Sequence, residues 1–199
     1  MPNTCTNANK KGNNIVFETL PALAPDPILG LSAAYKQDPS PYKIDLGVGV
    51  YKDEQGNTPI LDSVAEAQKI LLQSETSKVY ITPQGNPGFI NGMLTLLLGN
   101  NSAALNDSRV AAVQAPGGCG ALRILAELLM RVNSKTKVWV SDPTWANHIP
   151  LLGDAGLELH TYPYFDKASA SIKFDEMMDC LSKVNAGDVV LLHGCCHNP

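Results

Sequence analysis

The chain has 199 residues, 44% of them hydrophobic and 17% charged, with a formal net charge of −4. That length makes one large or two small domains, in which roughly 70% of the unfolded surface can be buried. The acidic balance gives no electrostatic ground for binding nucleic acid or an anionic membrane surface, and no apolar run nears the ~20 residues of a membrane span.

Met1 to Asn14 is polar and Asn-rich and lacks the apolar core of a secretory leader, so residues 1–14 read as a disordered tail. The five cysteines, Cys5, Cys119, Cys180, Cys195 and Cys196, are odd in number with two adjacent. That favours a reducing, cytoplasmic setting over a disulfide framework. Ile15 to Leu23 is a mixed apolar segment. Asp26-Pro27 then offers an N-cap acceptor and a proline at the first helical position. The helix it predicts carries Ile28, Leu29, Leu31 and Ala34 and stops near Asp38-Pro39. Lys43 to Tyr51 reads as a short strand whose glycines, Gly47 and Gly49, mark a bulge or a close backbone approach. Ser63-Val64-Ala65-Glu66 has the capping-box pattern and opens a helix with Val64, Ala67, Ile70 and Leu71 on one face. Asn86-Pro87 is a second cap-and-proline start, and its helix closes at Gly99.

From Val110 the order is strand (110–113), helix (121–131), strand (137–141), helix (145–152), strand (158–162), helix from Asp175, strand (188–192). This alternation predicts an α/β fold with a mostly parallel sheet. In the first of these helices Ala121, Leu122, Ile124, Leu125, Leu128 and Leu129 form a broad apolar stripe, with Glu127 and Arg131 as an i,i+4 pair. Asp188 to Leu192 is a continuous apolar run of the kind buried on both faces of a sheet.

The chemistry gathers at the strand ends, where such sheets bind ligands. Ala115-Pro116-Gly117-Gly118-Cys119-Gly120 leads from a strand into a helix start. The first N–H groups of a helix lack internal partners and point at one spot, the dipole adds positive charge there, and glycines let an anion approach. The turn reads as a phosphate cup or, equally, as a tight connection that needs small residues. Trp145 offers a broad face to a flat ring or packs at a helix start. His193, Cys195, Cys196 and His197 lack the separated pairs of a zinc site, so no metal is expected. Glycine motifs for mononucleotides or dinucleotides do not occur.

Several segments together resemble the class I aspartate/aromatic aminotransferases. They are Asp26-Pro27-Ile28-Leu29-Gly30-Leu31, Leu46-Gly47-Val48-Gly49-Val50-Tyr51-Lys52-Asp53-Glu54, Gly117-Gly118-Cys119-Gly120-Ala121-Leu122-Arg123, Val138-Trp139-Val140-Ser141-Asp142-Pro143-Thr144-Trp145 and His193-Gly194-Cys195-Cys196-His197-Asn198-Pro199. The resemblance implies the pyridoxal-phosphate fold type I, a three-layer, mostly parallel sheet flanked by helices, and a homodimeric enzyme that moves an amino group from an amino acid to a 2-oxo acid. Residues 15–52 would be the N-terminal arm and a small-domain segment, and residues 53–199 the first part of the large domain. It puts pyridoxal phosphate against Gly117, Gly118 and Cys119 through its phosphate, against Trp145 through its ring, and against Asn198 through its 3-oxygen. Tyr80 would reach the phosphate of a neighbouring subunit, and His148 would stand behind the partner of the ring nitrogen. Gly49, with Trp145 and Asn198, would border the substrate. Two departures stand out. Cys119 occupies a position where the family has Thr or Ser, and family members are about twice this long. The resemblance therefore implies an N-terminal fragment in which no catalytic residue can be assigned, because the lysine that forms the Schiff base lies in the other half. The alternative is a non-catalytic α/β module that binds a phosphate ligand or a partner chain.

Overall fold

The computed structural model describes Leu20, residues 27–45, Gly47, residues 49–194 and residues 196–198. The tail 1–14, Ile15–Leu23 apart from Leu20, the Asp26 cap, Leu46, Val48, Cys195 and Pro199 lie outside the described residues. The chain forms two compact units, residues 1–77 and 78–199.

In the first unit, helix α1 (Pro27–Gln37) begins on its proline as expected. Its end is held by Lys43, whose Nζ donates to the carbonyls of Tyr35 at 2.7 Å and Asp38 at 2.8 Å. A cation on the last carbonyls also suits the helix dipole. The strand predicted over Lys43–Tyr51 does not form among its described residues. Asp45 instead folds the backbone locally, its Oδ1 accepting from Gly47 N at 3.0 Å while Oδ2 takes Lys52 Nζ at 2.8 Å. Such side-chain bonds to nearby backbone compete with a ladder. Lys52 first, and then the Gly47 amide, hold the Asp45 carboxyl below the usual carboxylate range. Helix α2 (Asp62–Ser74) starts a residue ahead of Ser63, with Leu61 at the N-cap and no side-chain cap. The capping box is therefore not made. Val64, Ile70 and Leu71 on its expected core face are exposed.

The second unit opens with α3 (Pro87–Leu98). Asn86 Oδ1 accepts from Phe89 N at 3.1 Å, Pro87 is the first helical residue, and Gly99 closes the helix at φ 83°. After α4 (Ala103–Asn106) come α5 (Gly117–Val132), β1 (Lys137–Asp142), α6 (His148–Gly153), β2 (Glu158–Pro163), β3 (Phe165–Asp166), β4 (Ser171–Ile172), α7 (Phe174–Ser182) and β5 (Val189–Val190). β2, β1 and β5 form a parallel sheet in that order, and β3 and β4 a small antiparallel pair. β1 is thus central: Trp139 lies opposite His160 of β2 and Val190 of β5. The expected α/β class, with helices around a parallel sheet, holds.

Val138 and Val140 point to one face of β1 and bury against Ala126 of α5, Leu152 of α6 and Leu157. The period-2 alternation of a strand and the i,i+4 spacing of a helix bring these residues together. Three expectations change. Val110–Val113 is irregular rather than a strand. It is held at Gln114, whose N–H donates to Gln84 O at 2.8 Å, and its apolar pattern finds no ladder partner among the described strands. β5 is only two residues long and half-buried, with Leu192 exposed, because β1 is its one neighbour in the sheet. On α5 the covered side is Ala126 with Leu129 and Met130, while Ile124, Leu125 and Leu128 of the predicted stripe are exposed. Glu127 accepts from Arg123 Nη2 at 2.8 Å and Nε at 3.1 Å, so it pairs towards the helix start. No helix among the described residues is long and apolar enough to cross a membrane.

Candidate functional site

The glycine turn is itself the first turn of α5. Pro116 occupies the N-cap position, and no side chain caps the helix. Proline has no acceptor side chain, so the opening N–H groups are not claimed by the cap. Gly117 sits at φ 68°, a conformation that favours glycine. Gly120 is fixed by packing: a Cβ there would lie 2.8 Å from Pro116 Cγ. Gly118 differs, since a Cβ would meet nothing within 4 Å. Cys119 carries an exposed free thiol. With Arg123, Asn147, Pro150, Leu151 and Asp154 it lines a surface groove of about 480 Å³ between the first turns of α5 and the length of α6. Uncapped N–H donors beside open space form a donor set that fits a phosphate.

A second cluster stands where β1 and β5 end. Trp145 is half-buried and meets the His148 ring edge-on at 5.2 Å. His148, 7% exposed, starts α6. Thr144 Oγ1 lies 2.8 Å from His148 Nδ1 and 3.4 Å from His193 Nε2. Asn198 N donates to His193 Nδ1 at 2.9 Å. A backbone amide can only donate, which fixes the rest of the chain. His193 keeps Nδ1 bare and carries its proton on Nε2, facing Thr144. The Thr144 hydroxyl then donates to His148 Nδ1, leaving the His148 proton on Nε2. One backbone amide thus sets the tautomer of two imidazoles and a hydroxyl.

The structure brings Trp145, His148 and Asn198 into this one network, and places Gly117, Gly118 and Cys119 at the adjoining helix start. The helix expected from Trp145 begins three residues later, at His148, and the Thr144 hydroxyl is taken by histidines. Tyr80 is fully exposed ahead of the loop that docks on Gln114, where Gly85 N–H bonds Thr82 O and Asn86 N bonds Gln114 Oε1 at 2.8 Å. Gly49 belongs to the first unit, with open space at its Cβ position. Among the described residues no group of three or more His, Cys, Asp or Glu could hold a metal ion. Sequence reasoning missed Thr144 and His193 as network members. Their only signal was polar residues following two apolar runs.

Burial first, and then the facing His193 and His197, hold His148 below the ordinary histidine value of 6.5. His197 is lowered the same way, by burial and then by His193. Both are therefore neutral at pH 7. Between the lowered folded values and 6.5 the unfolded chain binds more protons, so stability falls as pH drops through that window and is flat above it. Urea midpoints from pH 7.5 to 5 check this. Replacing both residues by Gln is expected to flatten the slope, and an equal slope in that variant contradicts the assignment.

The polar network lies at the ends of β1 and β5, beside the uncapped start of α5, and the ends of parallel strands are where such α/β sheets bind ligands. The model of the aminotransferase class I and II family matches residues 41–199. The aspartate aminotransferase of Escherichia coli (strain K12) is 47% identical over 184 residues, which cover 92% of this chain and 46% of that protein. An aromatic amino acid aminotransferase from Psychrobacter sp. B6, cocrystallised with aspartic acid, superposes with a TM-score of 0.86 at 42% identity, over 92% of this chain and 46% of that one. One from Burkholderia pseudomallei, covalently bound to pyridoxal phosphate, gives 0.86 at 40% identity with the same coverage. The chain belongs to the aminotransferase class I and II family and has the aspartate aminotransferase fold. It spans about half the length of the relatives it matches.

Proposed function

We propose that this chain is the amino-terminal, phosphate-holding half of a pyridoxal-phosphate-dependent transaminase that acts on aspartate or an aromatic amino acid and a 2-oxo acid. The observation that carries the reading is the uncapped, glycine-lined start of α5 beside the Trp145–His148–Asn198 network. When bound, the cofactor supplies an electron sink for the bonds of an amino acid's α-carbon. The residues here hold and orient it. The turn of Gly117, Gly118 and Cys119 receives the phosphate through its N–H groups, Trp145 faces the ring, and the Asn198 side-chain amide donates to the 3-oxygen. His148, with its proton on Nε2, orients the acceptor that faces the ring nitrogen. Tyr80, exposed, is free to meet the phosphate of a second subunit in a homodimer, and Gly49 borders the substrate. Residues 15–52 serve as arm and small-domain segment and 53–199 as the first part of the large domain, in a cytoplasmic enzyme. The exposed apolar side of α5 and the open edge of β5 fit a chain completed by the half the relatives also possess.

The test adds pyridoxal phosphate, traps adducts with borohydride and maps them by mass, alongside an assay with aspartate and 2-oxoglutarate. The chain alone is expected to give no single modified lysine and no turnover. The gene read past residue 199 and expressed through the relatives' full length is expected to turn over. Turnover by these 199 residues, or none by the extended chain, contradicts the reading. In the second case a non-catalytic phosphate-binding module takes its place.

Cys119 bears on affinity. A thiol is a weaker donor than the hydroxyl of Thr. Cys119→Thr is expected to tighten pyridoxal phosphate binding by about 1 kcal/mol, the size of one neutral hydrogen bond. Fluorescence titration reads this directly, and unchanged affinity counts against a contact at Cys119.

A further inference from the structure

We propose that His197 is the positioning residue for Asn198, locked by a ring stack with His193 and Tyr164 and by a hydrogen bond with the buried hydroxyl of Ser141. The inference deepens the role given to Asn198 above and rests on that reading.

Leu191 N–H still donates to Trp139 O of β1 at 2.8 Å, and past it Thr144, Ser141 and the histidine rings hold the segment. The His197 ring lies between two others, 4.0 Å from Tyr164 at 11° and 4.1 Å from His193 at 7°. Its edge is fixed too, with Nε2 2.8 Å from Ser141 Oγ. Ser141 and Tyr162 are 1% and 2% exposed. Tyr162 O–H donates to Leu191 O at 2.9 Å. Ser141 at the end of β1 therefore holds the His197 ring, and Tyr162 of β2 holds the start of the segment after β5.

Asn198 follows His197 directly, and its N–H bonds His193, the next ring of the stack. His197 therefore fixes Asn198 twice, through the chain and by backing the imidazole that receives its amide. Burial keeps His197 uncharged against the parallel His193 ring.

The test is hydrogen exchange by NMR on the ligand-free, 15N-labelled chain, reading the Asn198 amide with the Val140 amide as the fold control. His197→Ala and Ser141→Ala are expected to speed Asn198 exchange by about fivefold or more, the loss of one net hydrogen bond, with Val140 unchanged. His197→Gln keeps an N–H for Ser141 and is expected to return towards the wild-type rate, which a general loosening would not. Tyr164→Phe keeps the ring and is expected to match wild type. If His197→Ala loses Val140 protection, Ser141→Ala and His197→Gln decide. Three results overturn the proposal: an unchanged Asn198 rate in Ser141→Ala, a His197→Gln rate no better than that of His197→Ala, or wild-type Asn198 exchanging like an unfolded peptide. Separately, pyridoxal phosphate added to the wild-type chain reads the cofactor role, so a failure there is distinguishable from a failure of His197.

Discussion

Gly118→Asp is expected to leave the fold intact and to weaken pyridoxal phosphate binding on the order of a hundredfold or more. The two halves of that outcome have separate causes. A Cβ at Gly118 meets nothing within 4 Å, and the backbone there is not in the left-handed region, so a side chain fits without strain. An acid in the first turn of α5 also suits the helix dipole, worth about 0.3–1 kcal/mol in favour of the fold. The same carboxylate stands where the phosphate is to bind. Two unit charges about 4 Å apart at an effective dielectric of 20 repel by roughly 4 kcal/mol, which exceeds the ~2.7 kcal/mol of a hundredfold change. Urea unfolding and a fluorescence titration with pyridoxal phosphate check the two halves together. Equal affinity in wild type and variant would remove the phosphate from this turn. A large loss of stability would mean that the open space at Gly118 is misassigned.

Leu152→Ala is expected to cost about 2–5 kcal/mol, the range for truncating a buried leucine. Leu152 is 2% exposed and lies in a core whose other fully covered members are Ala126, Val138, Val140 and Leu157. So few residues share the load that the gap has little to collapse into. Total stabilities of ~5–15 kcal/mol make this a large fraction of the whole. The damage reaches the site as well, because α6 begins at His148 and its Asn147 and Leu151 line the groove with Cys119. The variant should therefore show a lower urea midpoint together with loss of the Trp145–His148 ring contact in NMR spectra. A cost below about 1 kcal/mol would show that α6 is not part of the core.

How much of this was legible in the sequence depended on how local the cause was. The start and stop of α3 were readable because Asn86, Pro87 and Gly99 act within one turn of themselves. β1 and β2 were readable from apolar pattern and position between turns. Val110–Val113 has the same apolar character, yet a strand needs a neighbour, and no described strand supplies one. The Ser63 box fails for a related reason, since the helix begins at Asp62 and the hydroxyl falls inside the first turn. On α5 the periodicity gave a stripe wider than the side that is covered, so Leu125 and Leu128 stay exposed.

At the site, Gly117, Gly118, Cys119, Trp145, His148 and Asn198 were named from motif resemblance. The geometry adds what links the last three. Thr144 and His193 are 49 residues apart and meet only because β1 and β5 are neighbours. No spacing rule reports that pairing, and the tautomers of His148 and His193 follow only once the Asn198 amide is seen to bond an imidazole nitrogen.

The central claim is that the start of α5 is a phosphate cup for pyridoxal phosphate. The most direct measurement is an NMR titration of the 15N-labelled chain with pyridoxal phosphate, with inorganic phosphate as competitor. The account predicts saturable shifts of the Gly117, Gly118 and Cys119 amides, reversed by the competitor. No shift at these three amides, or shifts confined to other parts of the chain, would contradict it.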